Sequence, residues 1–183
     1  MKYFLDTEFI ERPGSIQLIS IGIVDENDRD YYAISKEFNS VVLWRDQWLM
    51  DNVVVPILKD NGLPEKDARD WAIGSTELQA MGKLNCQIAD DIVDFVGDDP
   101  DPQFYGYYAD YDWVVFCWLF GRMTQLPRGF PMYCRDLKQM MDERGLDKVW
   151  KRKNCPDPQG EHNALVDARW NKSLFEKISL YAK

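Results

Sequence analysis

Apolar residues cluster in short runs through the first third of the chain and fall largely at helical spacing after it. Residues 3–10 (YFLDTEFI) and 16–24 (IQLISIGIV) are rich in aromatic and β-branched side chains and predict two strands. The ERPGS between them is turn chemistry, DENDRD is a second turn, and DYYAIS predicts a third strand. Links this short predict an antiparallel meander, because a parallel pair needs a crossover of about a dozen residues. Residues 43–61 predict helical pieces interrupted at Pro56, and 75–96 a helix opening with Ser75 and Thr76 as N-caps. Ile88, Ile92, Val93, Phe95 and Val96 make its helical stripe. QFYGYY and MYCRD predict short strands. Residues 112–123 predict an apolar helix, and LKQMMDERG a helix that Gly145 stops. Residues 164–182 predict the last helix, burying Leu165, Ala168, Leu174, Phe175 and Ile178.

The fold class this order predicts is α/β: a mixed five-stranded sheet, with an antiparallel meander and then parallel strands, flanked by helices. No repeat or linker divides the chain, so residues 1–183 are expected to form one domain. The most loop-like stretch is KRKNCPDPQGE, 151–161.

Composition adds limits. An apolar fraction of 45%, with seven tryptophans, nine tyrosines and nine phenylalanines, predicts a packed core rather than disorder. No apolar run is long enough for a transmembrane helix. Asp6 and Glu8 interrupt the N-terminal apolar patch, so a signal peptide is not expected. Cys86, Cys117, Cys134 and Cys155 form no CxxC pair and predict free thiols in a reducing cytoplasm. The net charge of −9 does not attract nucleic acid at long range. Acids gathered in one site are offset by bound cations, however, so local contact with phosphate stays open.

Three stretches carry chemistry. Asp6 and Glu8 stand two apart on a strand and so project from one face, with Tyr3, Leu5 and Thr7 on the other. Two like charges on a central strand repel unless a cation or proton intervenes. In EHNALVDARWN, the lone histidine His162 sits at a helix entrance and Asp167 one turn inside. In YGYYADYDWVVFCWLFGRM an acid opens an apolar helix, with two candidates: Asp110 fits an N-cap, and Asp112 is then free to point into a cleft.

In this order the residues resemble the DEDDh family of 3′–5′ exonucleases, which includes oligoribonuclease, ribonuclease T and a proofreading subunit of a bacterial replicase. The resemblance rests on Asp6-Thr7-Glu8, on Tyr111-Asp112 and on HNALVDA from His162 to Asp167. DTEFIE, ISIGIV and PMYCRDLKQ look most like the small mycobacterial-type exoribonucleases described as polyadenylate-specific. The resemblance implies an RNase H-like fold and two Mg²⁺ or Mn²⁺ ions. One ion would be held by Asp6, Glu8 and Asp167, the other by Asp6 with Asp112 helping through water. It implies His162 as general base. The substrate would be the 3′ end of single-stranded RNA or a 3′ overhang, with release of nucleoside 5′-monophosphates, and the enzyme a homodimer. Phe9 and Trp113 are candidates to stack on terminal bases. Two other readings stand beside it: a DNA exonuclease of the same chemistry, and an inactive metal- or nucleic-acid-binding module.

Overall fold

The protein is described by a computed structural model covering residues 1–62 and 71–181. Three strands come first, β1 (Lys2–Arg12), β2 (Ser15–Asp25) and β3 (Asp30–Ile34). Two short helices follow, α1 (Ser40–Leu43) and α2 (Gln47–Leu49), and a π-helical turn, Met50–Val54, leads into α3 (Val55–Asp60). Beyond them lie α4 (Trp71–Met81) and α5 (Asn85–Val96), then β4 (Gln103–Gly106) and α6 (Asp110–Leu119). The chain ends with β5 (Arg135–Asp136), α7 (Leu137–Glu143), α8 (Lys148–Asn154) and α9 (Ala164–Leu180).

The strands lie in the order β3-β2-β1-β4-β5. β1 pairs antiparallel with β2 and β2 with β3, while β1–β4 and β4–β5 are parallel. This is the expected mixed sheet with flanking helices, consistent with an RNase H-like fold, and β1 is its centre. On one face of β1, Tyr3 and Leu5 pack with Ile88 and Ile92 of α5 and Phe116 of α6. On the other face, Phe4 joins Leu137, Met141, Leu174 and Ile178 under α7 and α9. Ile10 on that same face joins a separate cluster with Val53, Val54 and Leu58. Asp6 and Glu8 therefore stand at the seam between two apolar clusters. A bulge lies beside them: Glu8 faces Ser20 but Phe9 faces Leu18. The extra residue, Ile19, turns into the Ile10 cluster.

Several predicted boundaries shift for physical reasons. The predicted helix 75–96 is two helices, because Lys83 joins the sheet edge: its N–H donates to Ile34 O at 2.8 Å and its carbonyl accepts from Lys36 at 2.9 Å. Ser75 and Thr76 lie inside α4 rather than at its start. Pro56 sits in the first turn of α3, directly after the π-helical turn, so the helical run passes through it. The helix predicted over 112–123 begins and ends earlier, and MYCRD contributes only Arg135 and Asp136 as strand. Residues 151–154 are helical rather than loop, because Asp147 caps α8 by accepting from Trp150 N–H at 2.8 Å. Of the predicted last-helix stripe, Ala168, Leu174 and Ile178 are buried, while Leu165 and Phe175 are half-buried. Position 182 lies outside the described residues. The four cysteines are free, and no helix among the described residues is long and apolar enough to cross a membrane.

Candidate active site

Asp6 and Glu8 oppose Gly22 and Ser20 of β2. The small partners leave room above the acids, and α9 fills it. A Cβ on Gly22 would stand 2.3 Å from Ala164 O and 2.5 Å from Leu165 Cα, so only glycine admits the first turn of α9 there. Asn163 caps that turn, its side-chain oxygen accepting from Leu165 and Val166 N–H. Asn171, buried one turn beyond Asp167, donates to Leu5 O at 2.9 Å and ties α9 to β1. The result brings carboxylate oxygens of Asp6, Glu8 and Asp167 within 4.8 Å of one another.

His162 stands at the entrance of α9, as its position predicts. Its backbone N–H donates to Asp167 Oδ2 at 2.8 Å. It holds φ at +68°, one of three non-glycine residues in the left-handed region among those described. Tyr108, at φ +56°, is another and lines the same cleft. Left-handed non-glycine backbone is costly and persists where surroundings enforce it. The His162 ring meets Trp48 edge to face at 4.8 Å between centroids. Trp48 is 53% exposed and was not legible as a site residue, because it reads as one more aromatic of the helical segment 43–61.

Asp112 approaches from the other side. Beyond residue 4, β1 has no β4 partner, which leaves the Thr7 N–H free at that edge. Asp112 takes it: the Thr7 N–H and hydroxyl both donate to Asp112 Oδ1 at 2.7 Å. Asp110 sits in the exposed first turn of α6, and the N-cap is Ala109 rather than Asp110, so the expected cap is not made. Asp136 instead holds the helix entrance, accepting from Ala109 N–H at 2.9 Å.

The electrostatics are those of crowded acids. Burial, then the charges of Asp112, Glu8 and Asp167, push the Asp6 carboxyl well above its ordinary range. Burial, followed by Asp167 and Asp112, pushes Glu8 up to about 8. Burial lifts Asp112 to about 6 against the two hydrogen bonds from Thr7. It lifts Asp167 to about 6 against the bond from His162 N–H. None of these four has an ion-pair partner among the described residues. An all-carboxylate donor set with no ion-paired cation among the described residues fits a hard divalent ion, which would stabilise the ionised forms.

A cleft of about 410 Å³ opens onto Asp6, His162 and Asp167. Tyr107, Tyr108, Trp170 and the cationic residues Lys148, Lys151 and Arg152 line it too. The two predicted base platforms lie elsewhere. Trp113 is 8% exposed and stacks on Phe116 at 4.8 Å and 10° within the core, because the apolar face of α6 packs on the sheet. Phe9 is half-buried, packs on the Tyr3–Leu5 cluster and meets Tyr111 edge-on at 6.1 Å.

Comparison with known proteins identifies the family. Residues 1–179 match the family described as the 3′–5′ exoribonuclease Rv2179c-like domain. The chain is 34% identical over 181 residues to the 3′–5′ exoribonuclease Rv2179c of Mycobacterium tuberculosis H37Rv, covering 98% of this chain and 94% of that one. The 3′–5′ exoribonuclease MT2234.1 of strain CDC 1551 matches equally. Among solved structures, one of the yeast NOT1 MIF4G domain co-crystallized with CAF1 is similar in fold, with a TM-score of 0.51 at 11% identity. That likeness covers 97% of this chain and 78% of that one.

Proposed function

The chain belongs to the Rv2179c-like 3′–5′ exoribonuclease family, and from that premise we propose a metal-dependent hydrolysis of RNA from its 3′ end at the carboxylate cluster. The observation that carries it is the meeting of Asp6, Glu8 and Asp167 within 4.8 Å, with no ion pair to any of them among the described residues. Asp6, Glu8 and Asp167 would hold one Mg²⁺ or Mn²⁺, and Asp6 with Asp112 a second. Two such ions bound there would offset charge on the attacking and leaving oxygens of the phosphodiester.

The residues of the chain do the rest. His162 takes the proton of the attacking water as general base, and its ring is steadied by Trp48. Its backbone N–H holds Asp167 in place, so base and carboxylate are positioned together. Asp112 is oriented by Thr7, which fixes which of its oxygens faces the cluster. Residues 1–183 act as one exonuclease domain in this reading, releasing nucleoside 5′-monophosphates from single-stranded RNA.

The test is purified protein with 5′-labelled single-stranded RNA, and DNA of the same sequence, in Mn²⁺ or EDTA. RNA shortening from its 3′ end in Mn²⁺ alone is the expected result. Intact RNA under all conditions overturns the reading. DNA shortened as fast as RNA favours the DNA exonuclease, because sugar choice rests on contacts to the 2′-hydroxyl.

A further inference from the structure

The cleft that opens onto the carboxylates is also lined by three cationic side chains, beside the acids Asp157 and Glu161. Helix α8 sends Lys148, Lys151 and Arg152 to the same cleft as Asp6, His162 and Asp167. Positions i, i+3 and i+4 share one helical face, where like charges repel. Lys151 already has partners. It is half-buried, ion-paired with Asp157, and its ammonium lies 5.4 Å from the Tyr107 ring centroid and 4.9 Å from that of Trp170. Lys148 and Arg152 are exposed and have no ion-pair partner among the described residues.

This placement bears on how so acidic a chain could hold a polyanion. A net charge of −9 repels RNA at a distance, so any attraction must be local. Two cations one helical turn apart rise by about 6 Å along the axis, a spacing close to that of neighbouring phosphates on an extended strand. We propose that Lys148 and Arg152 grip the two phosphates on the 5′ side of the scissile linkage. The scissile phosphate would lie against the divalent ions that the carboxylate cluster would hold, and Lys151 stays with the aromatic floor of the cleft. This assignment rests on the exoribonuclease reading above and adds to it the location of the upstream strand.

The experiment crosses protein charge with substrate charge. Wild type and the K148A/R152A variant are each given an RNA pentamer with five natural nucleosides and ordinary phosphates. Each is also given the same pentamer with uncharged methylphosphonates at the two linkages 5′ of the scissile one. Neutralising the substrate should raise the wild-type KM about tenfold, as removing the two side chains should with the ordinary pentamer. Together the two changes should cost no more than either alone. The logarithmic salt dependence of KM for the ordinary pentamer should fall in the variant by about 1.4, at roughly 0.7 per phosphate. Losses that multiply, or a variant with unchanged KM, would overturn the assignment. A merely structural role for α8 would impair both substrates equally and so appears as multiplied losses. Wild type that hydrolyses neither pentamer sinks the underlying reading instead.

Discussion

Asp6 and Glu8 stand on the central strand of the sheet, between two apolar clusters, whereas Lys148 and Arg152 stand in water on a seven-residue helix. Both pairs border one region, yet their surroundings differ in kind. The strand fixes its carboxylates to the pairing register, at the expense of charges that burial disfavours. The helix carries charges that water already solvates, so each contributes little to any one contact. Position-sensitive chemistry suits the first arrangement, and a tolerant grip suits the second. On this view, substitutions on the strand side should reduce turnover, and substitutions on the helix side should weaken binding.

The largest effect is expected from Asp6→Ala, since Asp6 neighbours all three other acids. Turnover on RNA should fall by roughly 10³-fold or more, and the heat of Mn²⁺ binding should be lost in calorimetry. Unchanged Mn²⁺ binding would remove the metal from this wall. His162→Ala should lower kcat by roughly 10²-fold with Mn²⁺ binding retained. Near-normal kcat at saturating Mn²⁺ would leave His162 as a structural cap on Asp167. Gly22→Ala tests the scaffold rather than the acids. The added methyl must displace Ala164, at a cost of about 1–3 kcal/mol for overpacking. Thermal unfolding should shift accordingly and kcat should fall about tenfold, because Asp167 and His162 move with α9. An unaltered melting temperature would mean that α9 yields freely and that the register of β2 does not position it.

How much of this was legible in the sequence follows from the range of the signals. The period of two on β1 put Asp6 and Glu8 on one face, and the spacing from His162 to Asp167 put both at a helix entrance. Those are local patterns, and the structure keeps them. Gly22 gave no such signal: its importance depends on which helix crosses it. The break at Lys83 is equally nonlocal, since β3 recruits that residue from the middle of a helical pattern. Trp113 resembled a base platform because it follows Asp112, but it lies one turn before Phe116, stacks on it and is carried with it into the core. Helix α8 was hidden for another reason. Its lysines, arginine and asparagine run into CPDPQG, so its few apolar residues show no period. The available signal was Asp147 three residues before Trp150, a capping spacing.

The pH dependence of stability separates the two walls most directly. Glu8 is held up to about 8, Asp112 and Asp167 to about 6, and Asp6 is raised as well. The unfolded chain releases these protons near pH 4. Between about pH 4 and pH 8 the folded, metal-free protein therefore binds more protons than the unfolded one. Its unfolding free energy must then fall as pH rises. Glu26 and Asp91, held low by Lys2 and Lys83, act in the opposite sense only below about pH 4, outside this window. In EDTA the melting temperature should drop from pH 5 to pH 8, by roughly 2–4 °C for each kcal/mol lost. Mn²⁺ should remove most of that drop by stabilising the ionised carboxylates. K148A/R152A should show the same slope as wild type, because its lost charges do not titrate in this range. A melting temperature that climbs from pH 5 to pH 8 in EDTA would mean that the carboxylates are not crowded in the metal-free protein.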